Sequence, residues 1–262
     1  MKYTKQRRCL DNKFHRFPRP LFLPVLVFRY EEMLLLVQML SRKIHYLHVA
    51  LNSSLEEAGQ IISRLPPSER ILIEAGTPLL KREGIFAISH IRNMWQSRLA
   101  LLNTEAYVVA DLKTMDRGST EVQMAKDAGA SAVTALGQAP VETINSFIDT
   151  CQRLDIDSML DLMNTEQPIK VLRKLKRMPT VVILHRGVDE EDFNKDKPIP
   201  YIQINKIRSS YDVLIAVGGG DTIREVQRAI FNNANIVMVW REFYRPSDNT
   251  ASLAEEFLKV IR

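Results

Sequence analysis

The sequence predicts a closed (β/α)8 TIM barrel with a short N-terminal extension, and three observations lead to this fold class. Eight short apolar runs alternate with eight segments of helical periodicity. Residues that mark the predicted strand ends run from Asn52 to Arg241, so seven intervals span 189 residues, or 27 per unit. That length suits a strand, a crossover helix and two loops. The runs are almost wholly apolar, as in parallel strands covered on both faces. An open doubly wound sheet is the alternative, and it would not need eight units.

The strands and helices of this barrel are placed by their apolar patterns. Short apolar runs predict strands at Ile44–Leu51, Ile71–Ala75, Tyr107–Leu112, Ser131–Leu136, Ser158–Leu162, Val181–Leu184, Val213–Val217 and Ile236–Trp240. Helical spacing predicts helices at Leu55–Arg64, Ile85–Arg98, Ser119–Ala128, Val141–Arg153, Pro168–Arg177, Ile202–Ser209, Thr222–Phe231 and Ser252–Ile261. Residues 43–262 are therefore predicted to form the barrel domain.

Residues 1–42 are predicted to be a basic and apolar extension, partly helical or disordered. Residues 1–50 carry a net charge of +7 and residues 51–262 a net charge of −2, which together give the +5 of the whole chain. Positive charge confined to one terminal segment does not indicate a nucleic-acid-binding face. The apolar runs at 21–28 and 33–40 are far shorter than the ~20 residues of a membrane-spanning helix. We therefore expect neither nucleic acid nor a membrane as a partner.

The two cysteines, Cys9 and Cys151, lie 142 positions apart. No pair has the spacing of a zinc site, and two such distant cysteines do not form a disulfide framework. This usage favours a reducing, cytoplasmic location.

Polar residues and glycines follow the predicted strands, where barrels of this kind place their chemistry. In chain order they are Asn52, Glu74, Asp111 with Lys113, Gly137, Asp161 with Asn164, His185, Gly218 to Gly220, and Arg241.

Glu74 and Asp111 end neighbouring predicted strands, so their carboxylates could meet about one strand spacing apart. Hard oxygen ligands suit Mg²⁺ and leave positions for substrate oxygens and water. Because side chains alternate along a strand, Asp111 and Lys113 should point the same way. The alternatives are that Asp111 and Lys113 form a structural ion pair and that Glu74 only caps a turn.

His185 and the glycines after the seventh strand suggest two further roles. Imidazole titrates near neutral pH, so His185 suits reversible proton abstraction, although a lone histidine is often structural. The glycines at 218–220 precede a helix and let backbone N–H groups approach a phosphate. Arg241 after the eighth strand can supply a bidentate contact to the same phosphate.

The motifs together resemble a known family. The runs IEAGTPLLK (73–81), VADLKTMD (109–116), AGA (128–130) and HRGVD (185–189), with Gly219 and Gly220, are similar to 3-hexulose-6-phosphate synthase of the orotidine 5′-monophosphate decarboxylase suprafamily. The similarity covers roughly residues 46–262. It is strongest to the synthase domain that many archaea fuse behind a formaldehyde-activating enzyme, and residues 1–42 are far too short to be that partner.

The resemblance implies a Mg²⁺-dependent aldolase, an aldehyde-lyase of the ribulose monophosphate pathway, with Mn²⁺ as a possible substitute metal. It would join formaldehyde to D-ribulose 5-phosphate through an enediolate, giving D-arabino-hex-3-ulose 6-phosphate, or run in reverse. By matching motif, Glu74 and Asp111 would bind the metal, and Lys113 would stabilise the enediolate. His185 would remove the C1 proton. Asp116 would reach into the neighbouring subunit's site, which implies an obligate homodimer.

The resemblance also implies that Gly219, Gly220 and Arg241 hold the phosphate, and two departures affect the site. Many relatives have aspartate where this chain has Asn52, which can orient a lysine or a sugar hydroxyl but adds no negative charge. Many relatives also have glycine where this chain has Trp240. Tryptophan disfavours close backbone approach to the phosphate there, while the guanidinium role survives.

Three functions compete. The first is the synthase. The second is a 3-keto-L-gulonate 6-phosphate decarboxylase or an orotidine 5′-monophosphate decarboxylase, and the metal carboxylate Glu74 argues against the latter, which needs no metal. The third is a non-catalytic sugar-phosphate-binding barrel, which the joint presence of the acidic and basic site residues disfavours.

Overall fold

The computed structural model describes residues 40–194, 199–219 and 222–262 of the chain. Eight parallel strands form a closed barrel in chain order, and β1 pairs with β8 through Tyr46 and Ile236. The strands are β1 (Tyr46–Leu51), β2 (Ile71–Ala75), β3 (Val108–Thr114), β4 (Ala132–Leu136), β5 (Asp157–Asp161), β6 (Val181–His185), β7 (Leu214–Gly218) and β8 (Ile236–Val239). The predicted fold class is confirmed, and the open-sheet alternative is wrong.

Helices follow every strand and cover the outside of the barrel. They are α1 (Leu55–Arg64), α2 (Thr77–Glu83), α3 (Ala87–Leu99), α4 (Gly118–Asp127), α5 (Val141–Arg153), α6 (Pro168–Leu172), α7 (Val188–Phe193), α8 (Tyr201–Arg208), α9 (Ile223–Phe231) and α10 (Thr250–Val260). Short 3-10 turns occupy Ala100–Leu102 and Arg241–Phe243.

Two short helices were absent from the sequence prediction, and one predicted helix is shorter. Helix α2 has a proline in its first turn and is followed by Gly84, whose φ is +78°. Proline near the start of a helix and glycine just past its end are a common combination. Helix α7 lies in the β6–β7 connection, before the predicted helix at Ile202–Ser209. The helix predicted at Pro168–Arg177 ends at Leu172. In a longer helix Lys170 would face Lys174 and Arg173 would face Arg177, and like charges at this spacing destabilise a helix. The backbone N–H of Lys176 instead donates a hydrogen bond to Asn145 Oδ1 at 2.9 Å.

Strand alternation divides the core into two clusters. On β1, Leu47 and Val49 belong to the large cluster between the strands and the helices, whereas Tyr46 belongs to the smaller cluster inside the barrel. His48 and Ala50 share the inward face with Tyr46 by the same period of two. The barrel interior is therefore filled by side chains, and the carboxyl end is where barrels of this kind place their ligands.

Polar contacts close the amino end of the barrel. The Tyr107 hydroxyl donates a hydrogen bond to Asp157 Oδ2 at 2.6 Å inside the barrel. Burial raises the pKa of Asp157, although hydrogen bonds from Tyr107, Thr180 and the backbone N–H of Leu40 oppose the rise. Asp157 therefore connects three parts of the chain at the barrel floor.

The predicted extension lies outside the described residues except for 40–42, so its structure and the boundary at residue 43 stay predictions. Leu40 packs against the interior cluster, and Arg42 pairs with Asp212. Cys151 is a buried free thiol, and Cys9 lies outside the described residues. Within the part of the chain that the structure describes, no helix is long and apolar enough to span a bilayer.

Candidate active site

The carboxyl ends of the strands surround a cavity of about 380 Å³. Its lining includes most of the predicted site residues and several apolar side chains, namely Ala50, Asn52, Glu74, Thr77, Pro78, Asp111, Lys113, Met163, His185, Gly187, Val188, Gly218, Gly219, Met238, Val239, Trp240 and Tyr244. The metal, base and lysine positions predicted at the ends of three strands, β2, β3 and β6, thus meet in one place.

The end of β3 is distorted where it presents Lys113 to the cavity. Lys113 has φ +48°, and the pairing of β3 with β4 shifts register between Ala110 and Thr114. The left-handed conformation costs a non-glycine residue ~1–2 kcal/mol. Simple strand alternation therefore does not explain the direction of the Lys113 side chain, because the strand is irregular at this point. The side chain nevertheless reaches its predicted partner, because Nζ lies 3.0 Å from Asp111 Oδ2.

Two threonines hold Asp111 in place. Thr134 Oγ1 donates to Asp111 Oδ1 at 2.7 Å and accepts from the backbone N–H of Lys113 at 3.0 Å. Thr77 Oγ1 lies 2.8 Å from Asp111 Oδ2 and 2.7 Å from the Asp111 carbonyl oxygen, so its single proton can serve either. These bonds offset part of the strain at the β3 end.

Asp161 connects the lysine to the histidine, a role that sequence reasoning missed. Its Oδ2 accepts hydrogen bonds from Lys113 Nζ at 3.2 Å and from His185 Nδ1 at 3.0 Å. Its Oδ1 accepts from the backbone N–H of Met163 at 2.9 Å. Asp161 stood among the polar strand-end residues in the sequence, but its position alone did not show which side chains it would contact.

The charges in this cluster shift one another's pKa. Burial alone would raise the pKa of Asp161, but the charges of His185 and Lys113 with the donated hydrogen bonds hold it well below its ordinary value. Burial would lower the pKa of His185, and the Asp161 carboxylate outweighs burial and raises it. Burial likewise opposes the Lys113 charge, but Asp111, Asp161 and Glu74 raise the pKa of that ammonium.

Glu74 is buried at the cavity wall, where only 4% of it is exposed. Its Oε2 lies 2.8 Å from His48 Nε2, yet within the described part of the chain Oε2 makes no aligned hydrogen bond. A buried carboxylate is costly unless it is hydrogen-bonded, paired or bound to a metal. Glu74 also lines the cavity, so its carboxylate can serve a hard cation there.

The carboxylates at the cavity fit a divalent cation that takes some of its ligands from the protein and the others from substrate and water. Three buried carboxylates, on Glu74, Asp111 and Asp161, face a single ammonium and a titratable imidazole. Among the described residues, no three His, Cys, Asp or Glu side chains converge to hold a metal by themselves. Mg²⁺ commonly binds through one or two carboxylates plus water and substrate oxygens, so Glu74 and Asp111 would supply the protein's share.

Gly219 lies at the cavity with φ +88°, and a Cβ there would come within 2.5 Å of the Arg186 carbonyl oxygen. Glycine is therefore required at this position, and its backbone can approach a ligand closely. The buried Arg186, which sequence reasoning did not single out, donates through a terminal nitrogen to the Gly219 carbonyl at 2.9 Å. Gly220 lies outside the described residues, so its part in a phosphate site stays a prediction.

Arg241 does not line the cavity in this structure. Its guanidinium donates to Asp192 Oδ1 at 2.7 Å and lies 5.1 Å above the Trp240 ring. Trp240 lines the cavity in its place. The predicted phosphate contact therefore requires Arg241 to exchange Asp192 for the ligand.

Asn52 and Asp116 lie in different surroundings. Asn52 lines the cavity and packs closely on Gly76, because a Cβ on that glycine would lie 2.0 Å from Asn52 Oδ1. Asp116 is exposed in the turn after β3 and is not among the residues that line its own chain's cavity. Its predicted role in a neighbouring subunit's site stays a prediction.

Residues 45–256 match the family model described as orotidine 5′-phosphate decarboxylase / HUMPS family. The chain belongs to this family. It is 40% identical over 222 residues to the bifunctional enzyme Fae/Hps of Methanosphaera stadtmanae and 37% identical over 217 residues to that of Methanosarcina barkeri. Each match covers 82% of this chain and 52% of the relative, so this family member spans about half the length of both.

Solved structures place this family member among similar barrels. The 3-hexulose-6-phosphate synthase of Salmonella typhimurium matches with a TM-score of 0.72 and 27% identity, over 82% of this chain and 98% of that one. A protein named KGPDC from Streptococcus mutans matches with a TM-score of 0.67 over 83% of this chain and 97% of that one, but at 18% identity it supports the fold alone. The predicted family is confirmed.

Proposed function

We propose that this chain is a Mg²⁺-dependent aldolase, an aldehyde-lyase that interconverts D-ribulose 5-phosphate plus formaldehyde with D-arabino-hex-3-ulose 6-phosphate. The observation that carries the proposal is the chain of contacts Lys113–Asp161–His185 beside the two carboxylates Glu74 and Asp111 in one cavity. The similarity to a protein named 3-hexulose-6-phosphate synthase supports the choice of substrate class.

His185 is the proposed base. Asp161 engages Nδ1, so proton exchange with substrate falls to Nε2. Loss of a C1 proton from ribulose 5-phosphate to His185 leaves an enediolate. The negative Asp161 stabilises the imidazolium that forms, which is why its hydrogen bond to Nδ1 matters for the reaction and not only for orientation.

Lys113 is the proposed electrostatic partner of the enediolate. Its pKa is raised by Asp111, Asp161 and Glu74, so the side chain stays an ammonium throughout the working pH range. A fixed positive charge in a partly water-excluded cavity stabilises negative charge that develops on the substrate. When bound by Glu74 and Asp111, Mg²⁺ (or Mn²⁺ in its place) would add Lewis acidity toward the substrate's carbonyl oxygen.

The bonds balance in both directions. In the condensing direction the enediolate C1 forms a bond to the formaldehyde carbon, and the formaldehyde oxygen takes the proton that His185 removed. In the reverse direction His185 takes that hydroxyl proton, the carbon–carbon bond breaks, and C1 is protonated again. No oxidant or reductant is needed.

The remaining parts of the proposal concern the phosphate and the second subunit. The phosphate would lie against the backbone at Gly219 and at Gly220 beyond it, with Arg241 released from Asp192. We propose a homodimer in which Asp116 completes the partner's site. Its exposure supports this, as does the neighbouring Met115, an apolar side chain with 45% exposure.

The test measures formaldehyde consumption with ribulose 5-phosphate, with and without Mg²⁺. We expect consumption that EDTA abolishes and added Mg²⁺ restores, and Glu74→Gln and Asp111→Asn should each raise the Mg²⁺ concentration needed. Undiminished activity in a metal-free preparation would overturn the metal assignment. Release of CO₂ from 3-keto-L-gulonate 6-phosphate without formaldehyde chemistry would favour a decarboxylase. Tight ribulose 5-phosphate binding with no turnover would favour a binding protein.

A further inference from the structure

His48 lies on β1 inside the barrel, one layer below the cavity. It is in register with Leu72 of β2 and with Met238 of β8, and none of its surface is exposed. Ala50, two residues further along the inward face of β1, is in register with Glu74. The imidazole therefore lies directly beneath the layer that carries the candidate metal ligand.

The ring nitrogens of His48 lack well-aligned hydrogen bonds although the side chain is fully buried. Its Nε2 lies 2.8 Å from Glu74 Oε2, but neither ring nitrogen has an aligned hydrogen bond to any described residue. Leaving a buried donor or acceptor unmatched costs ~1–3 kcal/mol. An apolar side chain of similar volume would fill this part of the barrel without that cost, so packing alone does not account for a histidine here.

We propose that His48 is a positioning residue for Glu74, whose carboxylate it holds toward the cavity for a divalent cation. The inference rests on the proposed function, since the cation is part of it. The short approach engages the Oε2 side of the carboxylate from below, while Glu74 itself lines the cavity. Groups that orient a ligating carboxylate in this way typically change metal affinity 10- to 100-fold when they are removed.

Two substitutions separate positioning from volume. In His48→Gln the side-chain amide nitrogen falls close to the place of Nε2 and can donate to Glu74, whereas His48→Leu fills the space without a donor. His45→Gln is the matched control, because His45 precedes the same strand and is partly exposed. Each variant is first compared with the wild type by circular dichroism and thermal unfolding in the absence of metal.

The readout is Mn²⁺ binding to the whole chain, measured from the electron paramagnetic resonance signal of free Mn²⁺ with ribulose 5-phosphate present and formaldehyde absent. We expect a Kd about tenfold or more weaker for His48→Leu, within threefold of the wild type for His48→Gln, and unchanged for His45→Gln. Wild-type affinity in a folded His48→Leu protein would overturn the inference. So would an equal loss in the leucine and glutamine variants, because that indicates a role of the ring in packing.

A measurement on the wild type covers the case in which His48→Leu does not fold. In protein labelled with ¹⁵N at histidine, the ring nitrogens of His48 should shift when Mg²⁺ and ribulose 5-phosphate are added, and should not shift in Glu74→Gln. Unmoved His48 resonances at metal saturation would contradict the proposal. Neither measurement needs turnover. If His48 controls Mn²⁺ affinity while formaldehyde is not consumed, the inference stands and the reaction assignment fails.

Discussion

Replacing Asp161 by asparagine removes the carboxylate that accepts hydrogen bonds from both Lys113 and His185. Asp161 Oδ2 lies 3.2 Å from Lys113 Nζ and 3.0 Å from His185 Nδ1, and the residue is 1% exposed. A hydrogen bond to a charged group contributes ~1.5–3 kcal/mol. Since each ~1.4 kcal/mol is a factor of ten in rate, kcat/KM for ribulose 5-phosphate should fall about 10- to 150-fold.

The pH profile gives a sharper test than the rate alone. In the wild type the Asp161 carboxylate raises the pKa of His185 above its ordinary 6.5. A base must be neutral to act, so activity should rise as the pH increases through this raised pKa. In Asp161→Asn burial remains and the strongest opposing charge is gone, so the pKa of His185 falls and the acidic limb of kcat/KM should move to lower pH.

Asp157→Asn is the matched control, because it makes the same substitution at the other end of β5. Asp157 is also buried and accepts a hydrogen bond from Tyr107 at 2.6 Å. We expect this variant to unfold at a different temperature while its acidic limb keeps the wild-type position. An acidic limb that stays in place in Asp161→Asn would refute the assignment of Asp161 as the group that tunes His185.

Three further outcomes follow from the geometry. Gly219→Ala should destabilise the chain by ~1–3 kcal/mol because φ is +88° and a Cβ would lie 2.5 Å from a carbonyl oxygen; unchanged unfolding would contradict the strain. A larger rise in KM for ribulose 5-phosphate than for a phosphate-free analogue would link the change to the phosphate. Mixing Asp116→Ala with Lys113→Ala should restore up to about half of the wild-type activity per heterodimer, since one site then carries neither substitution. If mass spectrometry shows that subunits have exchanged and activity stays as low as in the two single variants, Asp116 works in its own chain. A chain starting at residue 40 should melt at a higher temperature than one starting at 43, because only the longer one keeps Leu40 packed against the interior cluster and Arg42 paired with Asp212. Equal melting temperatures would show that these contacts add nothing.

Strand periodicity predicted much of the fold because parallel strands bury both faces and repeat at a fixed interval. The β2 run Ile71–Ala75 and the helix Val141–Arg153 have the predicted bounds. The polar residues at strand ends likewise gave the position of Glu74 and His185, because a closed barrel brings all its carboxyl ends to one rim.

Contacts between side chains were less predictable, since period two shows which way a residue points and not what it meets. Asp161 was visible as a strand-end carboxylate, but its shared contact with Lys113 and His185 depends on three rotamers and on the bulge of β3. His48 lies inside a predicted strand and not at its end, so the strand-end pattern does not single it out. Its contact with Glu74 arises from the stagger of neighbouring strands, which changes the layer that each residue occupies.

The contacts that hold Lys113 also determine when its conformational entropy is lost. A lysine side chain gives up as much as ~1.5–2 kcal/mol of rotamer freedom when it is fixed. Because Nζ already lies between Asp111 and Asp161, that loss accompanies folding of the barrel and not arrival of the sugar phosphate. A ligand therefore meets an ammonium that is already immobile, and its binding free energy is not reduced by ordering this side chain.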